Sequence, residues 1–183
     1  YYWIWQGRTG LSLYHPASEQ ISFASDFPND TGKYHIIKCI EKCRTQPGIW
    51  AASGNACVVH LQHESMKMKC IQEIRIPDAC QVRVLHEDDQ GNLWIGTENA
   101  IYQYSISDGN MRRIHKDTGA INGIAISPDK AIYYITETPE FSCLPPDGQV
   151  HSIHKGENYS SIIISPDNKI WTATLEGNVY SYH

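Results

Sequence analysis

Short stretches of alternating apolar and polar residues run along this chain, and turn-forming residues separate them. In the clearest stretch, residues 87–97 (EDDQGNLWIGT), a turn rich in Asp, Gly and Asn leads into an aromatic-centred segment. A second alternating segment follows at once, at residues 100–106 (AIYQYSI). Alternation with a period of two predicts β-strands whose two faces differ in polarity. Residues 37–44 (IKCIEKCR) have some helical spacing, but their place in the repeat predicts an innermost strand.

The same unit recurs in degenerate form around Trp5, Trp50, Trp94, Tyr133 and Trp171, at steps of 45, 44, 39 and 38 residues. A period of about 40 residues with short strands and turn signals is typical of a β-propeller. Each repeat is predicted to form a blade of four antiparallel strands. We therefore predict an all-β fold, with residues 1–183 as a single β-propeller domain or propeller fragment.

The phase of the repeats predicts about three complete blades and two partial ones. The first repeat lacks its innermost strand and the last lacks its outermost strand. The two end pieces duplicate each other's second and third strands, so they do not complete one blade. The chain is therefore expected to be either a five-bladed ring or, as we favour, an arc of a larger propeller that lacks roughly two or more blades of about 40 residues. The start of the chain, without Met or a secretory segment, suggests a piece of a longer protein.

Composition excludes two classes of partner. A formal net charge of −5 and a pI near 6.0 argue against a nucleic-acid-binding surface, which needs a basic stripe. No apolar run approaches the roughly 20 residues needed for membrane insertion. The six cysteines match no zinc-ligand spacing and are interpreted as small buried residues, although their even number would also permit disulfides.

Two segments resemble the repeat of the two-component regulator propellers. They are residues 88–109 (DDQGNLWIGTENAIYQYSISDG) and residues 3–16 (WIWQGRTGLSLYHP). The resemblance implies a non-catalytic sensor module, like the extracytoplasmic, periplasmic input domains of bacterial hybrid sensor kinases. It also implies a small-molecule or carbohydrate ligand, no cofactor, and signalling domains elsewhere in a longer parent chain. A cytoplasmic location stays open as the alternative.

A second segment is similar to the regucalcin and gluconolactonase family. Residues 121–129 (INGIAISPD) and 132–137 (IYYITE) carry this similarity. It implies a sugar lactonase that uses calcium or another divalent cation, with Asn122 and Glu137 at the metal. Arg83 stands near the place where that family has Asn-Asp-Gly, which argues against catalysis. A third alternative, a protein-interaction scaffold of the WD-repeat type, lacks that repeat's Gly-His and Trp-Asp marks.

Candidate binding residues lie in the loops that share one end of the predicted channel. Ligands of propellers sit at such loop-lined, concave mouths. These loops join second to third strands or precede the innermost strands, and they contain Arg8, Thr9, Tyr34, His35, Asn55, Arg83, Glu98, Asn99, Asn122, Glu137, Thr138, Asn158, Tyr159 and Glu176. The predicted ligand-binding residues are Arg83, Glu98, Asn122, Glu137, Tyr159 and Glu176, with no catalytic residue and no metal.

Each of these residue types has a functional and a structural interpretation. Glu98, Glu137 and Glu176 occupy about the same repeat position, so they either converge on a cation or a sugar or are separate solvated carboxylates. Arg83 pairs either with a ligand carboxylate or with an internal one. The recurring Trp residues are interpreted as packing between blades.

Overall fold

Five antiparallel sheets and no helix make up the computed structural model over the residues it describes, 1–5, 11–23, 37–53, 56–64, 67–79, 81–117 and 119–182. The first sheet contains β1 (Tyr2–Trp5), β2 (Leu11–His15) and β3 (Gln20–Phe23). The second contains β4 (Ile37–Lys42), β5 (Ile49–Ser53), β6 (Cys57–Glu64) and β7 (Lys67–Arg75). Within these ranges there is accordingly no helix that could cross a membrane.

The remaining three sheets follow the same up-and-down order. The third contains β8 (Val82–Glu87), β9 (Asn92–Thr97), β10 (Ala100–Ser105) and β11 (Met111–Lys116). The fourth contains β12 (Ile121–Ile126), β13 (Ile132–Thr136), β14 (Glu140–Leu144) and β15 (His151–Lys155). The fifth contains β16 (Tyr159–Ile164), β17 (Ile170–Thr174) and β18 (Val179–Tyr182). The predicted all-β fold, the four-stranded repeat and the shorter first and last repeats are confirmed.

Successive sheets stack face to face, and the anchor tryptophans of the second and third repeats lie in the core between them. Trp50 is fully buried in a cluster with Leu85 and Leu93 of the third sheet. Trp94 is buried with Ile124 and Tyr134 of the fourth. The first strands of the second to fifth sheets, β4, β8, β12 and β16, lie side by side as the innermost strands. For Trp50 and Trp94 the prediction of packing between blades is confirmed.

The fifth sheet presents the equivalent face without a sheet against it. Trp171, the anchor of this repeat, is 38% exposed, and its cross-strand partner Ile163 is 61% exposed. Val179, on the same face, is also exposed. The first sheet likewise exposes Tyr2 and Ile21. In the part of the chain that the structure describes, no hydrophobic cluster joins the first and fifth sheets.

Glycine at position 96 allows two sheets to approach closely. A Cβ at Gly96 would lie 2.5 Å from Cγ1 of Val84 and 2.8 Å from Cγ2 of Ile121 in the following sheet. Real carbon atoms do not pack at such distances, so a side chain would force the sheets apart. This contact is the physical reason for the small residue that follows Trp-Ile in the repeat.

The cysteines match the prediction only in part. Cys43 and Cys57 are buried as expected, and Cys39 and Cys143 are half-buried. Cys70 is exposed, because it lies on the solvent-facing outermost strand β7. Burial raises the pKa of the Cys39 and Cys43 thiols to about 12. Both are therefore protonated and unreactive at neutral pH. Cys80 lies outside the described residues.

Candidate functional site: the axial groove

The innermost strands of the second to fifth sheets line an open groove of about 1110 Å³, which we call the axial groove. Its wall continues into the turns that follow β8, β12 and β16. Apolar positions such as Val84 and Ile124 alternate in this wall with polar ones such as His86 and Ser161. A concave surface with apolar patches and a few polar groups is the usual form of a small-molecule site.

A β-bulge recurs near the start of every innermost strand. The pairing of each with its neighbouring strand skips one residue, and the four skipped residues, here named the bulge residues, are Lys38, Arg83, Asn122 and Ser160. All four are exposed. A bulge leaves its extra residue outside the ladder and turns its side chain away from the sheet faces. The fold therefore brings one polar side chain from each of the second to fifth sheets to the same end of the innermost strands.

Two of the bulge residues lie in the wall of the axial groove. Asn122 and Ser160 line it, and Val84, which lines it in the third sheet, directly follows Arg83. The Ser160 hydroxyl donates a hydrogen bond to the Ala173 carbonyl over 3.2 Å, so its oxygen keeps only acceptor capacity for a ligand. The bulge end of the groove thus offers an amide and a hydroxyl, whereas Lys38 and Arg83 are not part of its lining.

The opposite end of the groove carries charged side chains from the second and third sheets. His86 Nδ1 lies 3.6 Å from Glu41 Oε1, and Arg44 Nη1 lies 3.1 Å from Asp89 Oδ1. Burial raises the pKa of Glu41, and burial lowers the pKa of His86, helped by the charge of Arg44. His86 is therefore neutral at pH 7, and its imidazole offers a donor or acceptor to a ligand.

Asp88 lines the same end, but its carboxylate is used within its own turn. It accepts hydrogen bonds from the Gln90 amide, from the backbone and side chain of Asn92, and from Trp94 Nε1 at 2.9 Å. Burial alone would raise the pKa of Asp88, but the hydrogen bonds from Asn92 and Trp94 outweigh it and hold that pKa below its usual value. This residue therefore positions the turn of the repeat.

The predicted site residues fall into two groups by position. Arg83 and Asn122 are bulge residues at the innermost strands. Glu98, Glu137 and Glu176 lie in the loops after the second strands. Glu98 Oε2 accepts a hydrogen bond from the Gln81 amide over 2.8 Å, and Glu176 Oε1 accepts one from the Asn158 side chain over 3.4 Å. Glu137 is exposed.

Tyr159 lies on the core side of its strand. Only 4% of it is exposed, and its ring makes an edge contact with Phe141. His154 Nδ1 lies 2.5 Å from the Tyr159 hydroxyl. Burial raises the pKa of Tyr159. Tyr159 precedes the bulge at Ser160, so its side chain points into the core between the fourth and fifth sheets. The candidate residues Arg8, Thr9, Tyr34, His35 and Asn55 lie outside the described residues.

The described residues contain no group of three His, Cys, Asp or Glu side chains that could hold a metal ion. Asn122 and Glu137, the ligands implied by the lactonase similarity, are both exposed.

The sequence analysis did not identify Lys38 and Ser160, which are bulge residues like Arg83 and Asn122. A signal for them exists in the spacing of buried residues at the start of the inner strands. Ile121 and Ile124 are three apart, as are Val82 and Leu85, and both members of each pair pack on the same side. A strand without a bulge would space them by two.

Comparison with known proteins gives a family for the central repeat. Residues 76–99 match the family described as two component regulator propeller. Over these residues the chain is similar to the repeat of that family. This match covers β8, the Asp88 turn and β9, and it confirms the resemblance inferred from the sequence. No curated protein matches the chain by sequence.

Solved structures show the same fold over nearly the whole chain. The extracellular domain of BT4673 from B. thetaiotaomicron, described as a hybrid two component system, is 18% identical with a TM-score of 0.76. This comparison covers 99% of the present chain and 26% of that one, so the present chain spans about a quarter of the length of its neighbour.

Neighbours with other activities share the architecture. Virginiamycin B lyase from Staphylococcus aureus is 13% identical with a TM-score of 0.69, over 96% of this chain and 63% of that one. The WD40 propeller domain of Doa1 is 14% identical with a TM-score of 0.69, over 81% of this chain and 51% of that one. At these identities the likeness shows the fold alone, and function is argued from the site.

Proposed function

We propose that this chain is a non-catalytic input module that binds a small-molecule or carbohydrate ligand in the axial groove. The observation that carries the proposal is the groove itself, about 1110 Å³ in volume and lined by the innermost strands of four sheets. The two-component regulator propeller match and the similarity to an extracellular sensor domain support an extracytoplasmic signalling role.

The lining of the groove suits a sugar. Sugar rings have apolar faces and hydroxyl groups that both donate and accept hydrogen bonds. The groove supplies apolar patches at Val84 and Ile124, an amide at Asn122 and a neutral imidazole at His86. Groups of both hydrogen-bonding types around a partly apolar wall can orient such a ligand.

Isothermal titration calorimetry with a panel of mono- and oligosaccharides tests the proposal. We expect saturable binding by at least one member, weakened about tenfold by Asn122→Leu, which removes an amide worth about 1 kcal/mol or more in a buried contact. The control is Gln149→Leu, an exposed polar position on the fourth sheet that does not line the groove. Equal affinities for both variants would contradict binding in the groove.

The same purified protein separates the binding module from the lactonase alternative. Elemental analysis after purification without chelator, followed by melting with added calcium, measures any bound cation. For a binding module we expect no stoichiometric metal and no calcium-dependent shift. A stoichiometric cation that disappears in Asn122→Ala, together with hydrolysis of a sugar lactone, would replace the proposed function by the enzymatic one.

A further inference from the structure

We infer that the ligand is an acidic sugar, whose carboxylate is held between Lys38 and Arg83, outside the lining of the axial groove and next to its residue Val84. This inference rests on the proposed function and specifies the class of its ligand. It follows from the position of the four bulges, from the charges of the bulge residues, and from the ion pairs that these charges do not form with described carboxylates.

The bulges place Lys38 and Arg83 at matching positions on adjacent strands. Ile37 pairs with Ser53 and Cys39 with Ala52, so Lys38 is the extra residue of β4. Val82 pairs with Thr97 and Val84 with Gly96, so Arg83 is the extra residue of β8. Because β4 and β8 lie side by side, the two cations stand at the same end of neighbouring innermost strands.

Neither cation is neutralised by a described carboxylate. Lys38 and Arg83 are exposed, and no ion pair links either of them to an acidic residue in the part of the chain that the structure describes. Two like charges on adjacent strands create a positive potential that favours an anion. The guanidinium of Arg83 can hold a carboxylate through two parallel hydrogen bonds, and the ammonium of Lys38 adds a compact charge.

The other two bulge residues are neutral, so the four bulge residues form a cationic pair and a neutral polar pair. Asn122 and Ser160 continue the series on β12 and β16 and line the groove, where they suit hydroxyl groups. The carboxylates of Glu98 and Glu176 reach the start of the innermost strands, where neutral groups bond them. Glu98 accepts a hydrogen bond from the Gln81 amide and Glu176 accepts one from the Asn158 side chain.

Calorimetry with matched sugar pairs tests the inference. The probes are glucuronate against glucose, galacturonate against galactose, and an oligogalacturonate against the corresponding galactose oligomer. We expect each acidic sugar to bind at least about tenfold more tightly than its neutral partner. Because the contact involves exposed charges, this preference should shrink as salt is raised from about 0.05 M to 0.5 M.

Charge-removing variants locate the carboxylate. Arg83→Gln and Lys38→Gln should each abolish most of the preference for the acidic sugar over its neutral partner. The matched control is Arg113→Gln, an exposed arginine on the outermost strand β11, which should leave the preference unchanged. A circular dichroism melt of each variant establishes that it is folded.

The outcomes separate the two proposals. Binding of neutral sugars with equal or greater affinity would keep the proposed function and overturn the carboxylate site. The carboxylate site would also be overturned if Arg113→Gln reduced the preference for the acidic sugar as much as Arg83→Gln does. Failure of both acidic and neutral sugars to bind would overturn the proposed function, and the carboxylate site with it.

Discussion

The indole Nε1 of Trp50 donates a hydrogen bond of 2.7 Å to Oε2 of Glu87, across the boundary between the second and third sheets. Both residues are fully buried. Oε1 of the same carboxylate accepts hydrogen bonds from the amide and the hydroxyl of Thr45. A buried carboxylate is tolerated only when donors satisfy it, so this contact joins two sheets through a polar network inside an apolar interface.

Replacing Glu87 by Gln should destabilise the protein by about 1–3 kcal/mol, because the neutral amide is a weaker acceptor and places its NH2 group against a donor. The measurement is the free energy of unfolding from urea titration. Glu137→Gln is the control, since the Glu137 side chain is exposed and exposed charges contribute about 0–1 kcal/mol. Equal losses for the two variants would contradict a stabilising role for the Trp50–Glu87 contact.

Acid should selectively remove the stabilisation that Asp88 provides. The folded-state pKa of Asp88 lies below its ordinary value of 3.8, so the carboxylate stabilises the fold at higher pH and loses this effect as pH falls through the folded-state pKa. Asp88→Asn should therefore cost about 1 kcal/mol at pH 7, a value reduced by the partial exposure of the group.

The measurement for Asp88 is the difference in unfolding free energy between the wild type and Asp88→Asn at a series of pH values. This difference should be constant above about pH 5 and narrow below 3.8. Taking the difference cancels the opposite titration of Glu41, which both proteins share. A gap that stayed constant down to pH 2.5 would show that ionisation of Asp88 does not stabilise the turn.

Gly96→Ala should destabilise the protein by about 1–3 kcal/mol through overpacking. The added methyl would meet Val84 in its own sheet and Ile121 in the next one. Gly119→Ala is the matched control, because the nearest atom there would be Cβ of Thr136 at 3.5 Å, an ordinary contact. Thermal melts should therefore show a clear loss for the first variant and little change for the second; a reversed order would contradict the packing argument.

Two tryptophans at equivalent repeat positions should respond very differently to truncation. Trp50→Ala should cost about 3–5 kcal/mol, because the side chain is fully buried between two sheets. Trp171→Ala should cost much less, since no sheet covers its face in the described structure and its indole bonds only Ser165 Oγ. Urea unfolding measures both, and equal costs would show that the face of Trp171 is covered in solution.

Much of the fold could be predicted because its signals are local. The Asp88 turn, the alternation of β9 and the recurrence of Trp near every fortieth residue are written in neighbouring residues. Burial of Trp50 and Trp94 followed from that recurrence. The exposure of Trp171 did not, because it depends on whether another sheet lies against the fifth one.

The candidate site was predicted only in part. Arg83 and Asn122 were inferred from their place before or within an inner strand, whereas Tyr159, at a neighbouring repeat position, points into the core. Tyr159 points into the core, whereas the next residue, Ser160, is the exposed bulge residue. The two differ because each step along a strand reverses the side-chain direction.

The sequence by itself determined the strands, the turns and the repeat, since these depend on side-chain periodicity and on residues such as Asp88 and Gly96. Tertiary structure alone decided that Lys38, Arg83, Asn122 and Ser160 lie at the same end of adjacent innermost strands. Ile37 and Ile40 are three residues apart, as on one face of a helix. The pairing with β5 explains this spacing by a bulge in a strand. Periodicity describes one strand at a time, whereas a bulge exists only in relation to the partner strand, and a shared site exists only once the sheets are stacked.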